Sequence, residues 1–321
     1  MHLPLVAPRL LRPLPFIAPW LVGFFTLTLY PFAASLYWSF CRYDLLSPPR
    51  WIGGEHYRRL AEELWRGGPF GRALWNTAYY AAISVPLSIA LGVGLAALLS
   101  RKVRGVAIYR ALWFLPSIVP VVAAAVLWMG LLDPQQGLVN RLLTDRLDQG
   151  WFSSTAQAAW PATWPDEQAG DGRLAPRLLG SKDALILMSL WGVGNFMVIY
   201  LAAIGDIPES LYEAARLDRA GPLQRFWWIT APMLSPVIFF NLVMGAIQAV
   251  QAFTQVYLVS DGVGDPAAST LLLSLHLFLA AFRDLEMGYA SAMAWVLFAL
   301  VLTVTAWLFH TSGRWVHYTS V

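Results

Sequence analysis

Six long runs without an Asp, Glu, Lys or Arg divide this chain, over about residues 14–40, 73–99, 111–132, 184–205, 232–259 and 287–309. A helix needs about 20 residues to cross the hydrocarbon of a bilayer, and every run is at least that long. No water is available there, so a backbone that crosses must bond to itself, and each run can only be a helix. The runs therefore define an all-α integral membrane protein with six transmembrane helices. The 321 residues are 58% hydrophobic and 13% charged, against about 25% charged in ordinary soluble domains. Sixteen tryptophans suit the belts where apolar core meets headgroups. A net charge of +3 gives no reason to expect nucleic acid. The single cysteine, Cys41, forbids an internal disulfide. From Leu14 the first run is too long for a signal-peptide core, and no small-residue cleavage site follows it.

An even number of spans puts both termini on one side. That side takes Arg9, Arg12, the loop Arg101-Lys102-Val103-Arg104 with Arg110, the segment 206–231 and Arg314. It holds ten basic and four acidic residues, leaving twelve and fifteen of the totals of 22 and 19 for the other side. The raw count does not decide orientation. The tight basic loop does, because short loops dominate the positive-inside rule. The expected layout is a cytoplasmic N-terminus over 1–13, one membrane domain over 14–315 and a cytoplasmic loop over 206–231. A long outer loop, 133–183, carries Pro161, Pro165, Gly170, Gly172 and Pro176 and reads as irregular. Residues 41–72 read as an amphipathic interfacial segment. Leu271–Phe282 is too short to span and reads as a re-entrant or interfacial helix. Pro31, Pro86, Pro116, Pro120 and Pro236 fall inside spans, where each removes a backbone bond and can bend the helix.

The chemistry present is neutral. The absence of an ionisable group within the runs argues against a proton-driven carrier. Gln248, Gln251 and Gln255 recur at spacings of three and four with Thr254 alongside, so a continuous helix would carry them on one face. Amides on a lipid-facing stripe are costly, and that face is expected to line a polar path. With Trp191, Asn195 and Tyr257 these are the candidate substrate-path residues, since amides and ring faces suit a neutral sugar. No Gly-Lys pair occurs, so no phosphate-binding loop is present. The five histidines are scattered without metal-ligand spacing, and no nucleophile–base pattern appears. An enzyme active site and a metal site are not expected.

One charged stretch between apolar runs stands apart, Ile207 to Gly221. Asp206 can cap a helix there with Glu209 returning the capping-box bond, and Pro208 fits the first turn. The helix is expected to run to about Leu217 and stop near Gly221-Pro222, where a second short helix can start. Ala214 and Ala215 would let another surface approach closely, which makes this a candidate docking element.

In this stretch the order Ile207-Pro208, Leu211-Tyr212-Glu213-Ala214-Ala215, Asp218, Ala220, Gln224, Phe226, Ile229-Thr230 and Pro232 resembles the coupling loop of bacterial ATP-binding-cassette importer permeases. Within these it is most similar to the carbohydrate-uptake group, which includes the maltose and glycerol-3-phosphate transporters. Further matches include Tyr43-Asp44-Leu45, Asn76-Thr77, Leu115-Pro116, Gly137-Leu138-Val139-Asn140, Gln251-Ala252-Phe253 and Gly288-Tyr289-Ala290. The resemblance covers about residues 14–315. It implies the type I (MetI-like) permease fold in a bacterial plasma (inner) membrane. It also implies a second permease subunit (identical or different), two ATP-binding-cassette ATPase subunits and an extracytoplasmic substrate-binding protein. ATP and Mg would then bind the ATPase, and this chain would bind no cofactor. Leu211, Tyr212, Glu213, Ala214, Ala215, Asp218 and Gly221 would form the ATPase-coupling contact. Three departures stand out: Arg219 replaces a glycine, Leu223 a tryptophan and Ala231 a leucine. If the position of Arg219 needs a left-handed turn, a side chain there costs about 1 kcal/mol, and Gly221 could take the turn instead. The solute stays open between a sugar and glycerol 3-phosphate or a polyamine, and a secondary carrier is the reading from a different class.

Overall fold

The computed structural model describes residues 14–101, 104–133, 137–138, 181–265 and 268–317. The expectations for the N-terminal 13 residues, for Lys102 and for most of the outer loop lie outside these. Helix α1 (Leu14–Gly23) runs through a π-helical stretch, Phe24–Leu29, into α2 (Tyr30–Trp38). A two-stranded hairpin, β1 (Cys41–Arg42) and β2 (Arg50–Trp51), pairs antiparallel with Cys41 opposite Trp51. Then come α3 (Glu55–Arg66), α4 (Pro69–Leu99), α5 (Val106–Ile118) and α6 (Val121–Leu131). After the outer loop follow α7 (Ser181–Trp191), α8 (Gly194–Gly205), α9 (Glu209–Leu217) and α10 (Pro222–Arg225). The chain closes with α11 (Ala231–Val250), α12 (Thr254–Val259), α13 (Leu273–Phe278) and α14 (Met287–Ser312).

Four helical stretches among the described residues are long and apolar enough to cross a membrane: Phe16–Trp38, Pro69–Leu99, Pro222–Val259 and Met287–Ser312. Two bent helix pairs are long and apolar enough when each pair is taken together, which brings the number to six if each is one span. Helices α5 and α6 meet at 100°, and α7 and α8 at 46°. Proline causes the sharper bend. Val119 precedes Pro120 and is extended at φ −66° and ψ 127°, as crowding by the following ring requires. Helix α7 begins three residues before its apolar run. Lys182 and Asp183 therefore enter its first turn, a departure from charge-free spans. Tyr79 accommodates both, its hydroxyl donating to Asp183 Oδ1 at 3.0 Å and its ring centroid lying 5.5 Å from Lys182 Nζ.

The core has two parts. Toward the end that carries α9, Val93, Ala96, Met197, Tyr200 and Leu234 join α4, α8 and α11. At the other end the short helix α13 is buried, with Leu271, Leu272, Leu273 and Leu275 each 6% exposed or less. This is the short apolar run of the sequence, and it packs inside the protein instead of lying on the interface. Its irregular entry needs hydrogen-bond partners at membrane depth. Asn76 Nδ2 donates to the carbonyls of Ala268 (2.8 Å) and Leu271 (2.9 Å), and Thr77 Oγ1 accepts the Leu273 N–H at 2.8 Å. Ser274 donates its hydroxyl to the Ala252 carbonyl, at the break between α11 and α12.

Residues 41–72 fold into the hairpin and α3 over that same end. Glu63 ties them down. It accepts from the Tyr289 hydroxyl at 2.9 Å, the Phe70 N–H at 3.2 Å and Arg59 Nε at 3.0 Å. Two glycines allow close crossings. A Cβ on Gly194 would overlap the Trp113 carbonyl, and one on Gly288 would overlap that of Cys41.

Candidate translocation cavity and coupling helix

A cavity of about 320 Å³ lies among α4, α6, α7, α8, α11 and α12. Helix α4 presents Tyr80, Ser84 and Ser88 to it, four residues apart and so on one face. Ser189 comes from α7, Asn241 and Gln248 from α11, and Thr254 and Gln255 from α12. Apolar and aromatic surface completes it, including Val121, Phe196 and Phe253. Among the described residues, no charged side chain lines it. Gln255 Nε2 donates to the Tyr80 hydroxyl at 2.7 Å, which fixes one amide. Asn241 is buried, at 1% exposed, beside the Tyr200 hydroxyl.

Of the sequence-expected path residues, Gln248, Thr254 and Gln255 meet here. The expected single-face stripe does not form as one helix. Helix α11 ends at Val250, Gln251 is its C-cap at φ −97°, and Phe253 turns to φ −133° before α12 begins. The break points Gln251 away, and it is exposed. Tyr257 stacks with Phe253 (5.5 Å) and Phe278 (5.6 Å) instead of lining the cavity. Trp191 packs edge-on against Trp128 at 6.3 Å, and Asn195 is exposed. Ser84, Ser88, Ser189 and Asn241 look in the sequence like scattered polar residues within spans. The Tyr80-Ser84-Ser88 spacing is the signal that would have found the two serines of α4, whereas nothing in the sequence pattern marks Ser189 or Asn241.

At one end of the bundle the charged stretch forms α9, as expected, but it is not capped as expected. Asp206 is the C-cap of α8, its N–H bonded to the Ala202 carbonyl at 3.2 Å. Pro208 opens α9 with no side-chain cap. Only Ile207, 8% exposed, separates the two, so Asp206 closes one helix and cannot open the next. The C-terminus of α9 is a Schellman motif. The Arg219 N–H bonds to the Arg216 carbonyl (3.1 Å) and the Ala220 N–H to that of Ala215 (2.9 Å). That motif places Arg219 at the left-handed position, with φ 55°. Gly221 does not take the turn over. It is extended at φ −69° and ψ 165° and starts α10, its N–H donating to Gln224 Oε1 at 2.7 Å.

Helix α9 has two faces. Tyr212 turns inward and bonds through its hydroxyl to Thr230 Oγ1 at 2.9 Å, and Ala215 is half-buried. Leu211, Glu213, Ala214, Leu217 and Asp218 are exposed, Leu217 at 86%.

Bent helices around a polar cavity, with a short exposed charged helix at one end, are the construction of a membrane transport permease. The chain belongs to the family of binding-protein-dependent transport system inner membrane components, whose family model matches residues 84–317. It is 40% identical over 312 residues to a probable ABC transporter permease protein, YesP, of Bacillus subtilis (strain 168), covering 95% of this chain and 91% of that one. It is 32% identical to the diacetylchitobiose uptake system permease protein NgcF of Streptomyces coelicolor, covering 92% and 80%. The fold matches a chain of a bacterial alginate ABC transporter solved with an alginate pentasaccharide-bound periplasmic protein. The TM-score is 0.72 at 21% identity, over 94% of this chain and 93% of that one. This is the type I (MetI-like) permease fold, and the family is one of transport permeases, not of enzymes.

Proposed function

We propose that this chain is one permease subunit of an ATP-driven importer of neutral sugars and that its cavity forms part of the translocation path. The uncharged cavity carries the reading. Its 320 Å³ falls within the range of small-molecule sites, about 300–1,000 Å³. Hydroxyls and amides exchange hydrogen bonds with sugar hydroxyls, and Phe253 and Phe196 offer faces to ring C–H groups. The relative named for diacetylchitobiose uptake supports the class. A lining without cations favours a neutral solute over an acidic one, because an unpaired charge in such a site is costly.

Energy enters through α9. Its exposed face, with Glu213 at the centre, docks on a separate ATP-binding-cassette ATPase that holds ATP and Mg. A second permease subunit completes the path, and an extracytoplasmic binding protein delivers the sugar. Both termini and α9 face the cytoplasm of a bacterial inner membrane, as the basic loop around Arg101 favours. Uptake of a labelled neutral oligosaccharide into cells carrying the full system tests this. Glu213→Lys is expected to abolish uptake while the permease stays folded and inserted, and ATP depletion is expected to do the same. Uptake that survives ATP depletion and stops only with a protonophore would make the chain a secondary carrier.

A further inference from the structure

A second concavity is larger than the proposed translocation cavity. It is a groove of about 1,100 Å³ between the inward face of α9 and the adjoining ends of α4, α5, α8 and α10. Among the described residues, Arg101, Arg110, Arg216 and Arg225 line it, and no Asp or Glu does. The four come from separate elements: the end of α4, then α5, α9 and α10. The nearby acids Asp206, Glu209, Glu213 and Asp218 are exposed and do not line the groove.

Arg110 is held in place, donating to the Leu99 carbonyl through Nε (3.3 Å) and Nη2 (2.8 Å). The Nε of Arg225 is buried without a hydrogen-bond partner among the described residues. Four guanidiniums without a counter-charge make an anion site, and their fork geometry matches phosphate. The remaining wall is apolar, with Leu98, Leu201, Ile204 and Phe226. Beside it, Trp227 and Trp228 are 62% and 82% exposed, as suits side chains at headgroup level. A phosphate that carries acyl chains satisfies the cations and the apolar wall together. A soluble phosphate satisfies only the cations.

We infer that this groove binds the headgroup and upper acyl chain of an anionic phospholipid, in the leaflet on the coupling-helix side. The lipid would wedge α9 against α4 and α5 and set the angle at which the docking face is presented. This goes beyond the transport reading and depends only on the chain being a membrane protein, so it is tested without uptake.

The full-length chain, purified in neutral detergent, is titrated with phosphatidylglycerol and with phosphatidylcholine, and bound lipid is counted by native mass spectrometry. The wild type is expected to prefer phosphatidylglycerol at least tenfold. Arg216→Gln with Arg225→Gln should cut that preference at least fivefold, and Arg216→Lys with Arg225→Lys should keep most of it. Arg58→Gln, on α3 at the other end, should leave it unchanged. Three results would overturn the inference. One is an unchanged preference in the glutamine pair, or, should that pair fail to fold, a folded lysine pair with no preference. Another is an equal fall with Arg58→Gln. The last is displacement of the lipid by equimolar soluble glycerol 3-phosphate, which would make the occupant a free phosphate.

Discussion

Arg219 shows how one side chain can carry a visible energetic cost. The Schellman closure of α9 fixes a left-handed residue at this position, and a side chain there costs about 1 kcal/mol. The resemblance locates the missing glycine, but only the backbone shows that no neighbour takes over. Arg219→Gly is expected to raise thermal stability in detergent, by up to about 1 kcal/mol after the entropy that glycine loses on folding. Arg219→Val should lower it, since a β-branched residue fits that conformation worst. A lower melting point for the glycine variant would refute the strain. Leu45 is a second left-handed residue, at φ 66°, and here the offset is visible. Asp44 Oδ1 accepts the N–H groups of Ser47 (2.8 Å) and Leu46 (3.1 Å) across the turn. The Ser47 backbone bond above all holds the Asp44 carboxyl below its ordinary value. The folded turn thus favours the ionised form. Its stabilising effect is complete above the ordinary carboxylate value, about 3.9, and fades as pH falls through the lowered one. A carboxyl-carbon NMR titration of Asp44 should show a midpoint below that of a free aspartate, and a midpoint at or above it would remove the carboxylate from the turn.

Secondary elements were legible wherever one rule governed them, and obscure where long-range contacts decided. Helices over the uncharged runs follow from the hydrocarbon alone. The bend at Val119-Pro120 follows from proline, yet its 100° does not, because the angle depends on what α6 packs against. The break at Gln251–Phe253 has no proline or glycine to announce it. It exists because α13 inserts beside it and Ser274 meets the freed Ala252 carbonyl. This is why Gln248 and Gln255 reached the cavity and Gln251 did not. The periodicity argument assumed an unbroken helix. Asn76 and Thr77 were visible as polar residues in a span, but their partners lie some 190 residues away in the entry to α13. Thr77→Val leaves the Leu273 N–H buried and unpaired, an expected loss of about 1–3 kcal/mol, read by thermal unfolding. Thr77→Ser should keep the bond and most of the stability. At the α5–α8 crossing, Gly194→Ala forces a methyl into the Trp113 carbonyl and should cost about 1–3 kcal/mol by overpacking. Neutral behaviour there would mean that the two helices do not cross so closely.

The whole molecule divides its work between a neutral middle and a charged end. The sequence announced the charged end through its order of residues and left the cavity half-hidden, because the cavity is assembled from six helices whose facing sides depend on packing. Helix α9 links the two, with Tyr212 bonded inward to Thr230 and Glu213 turned outward. That division is the central claim: neighbouring residues of one short helix face different partners. Site-specific photo-crosslinking in native membranes tests it directly, with a photoreactive residue placed at position 213 or at position 212 of the full-length chain. Position 213 is expected to capture an ATP-binding-cassette ATPase, identified by mass spectrometry, while position 212 gives crosslinks within its own chain. Capture of the ATPase from position 212 and not from 213, or from neither, would contradict the account.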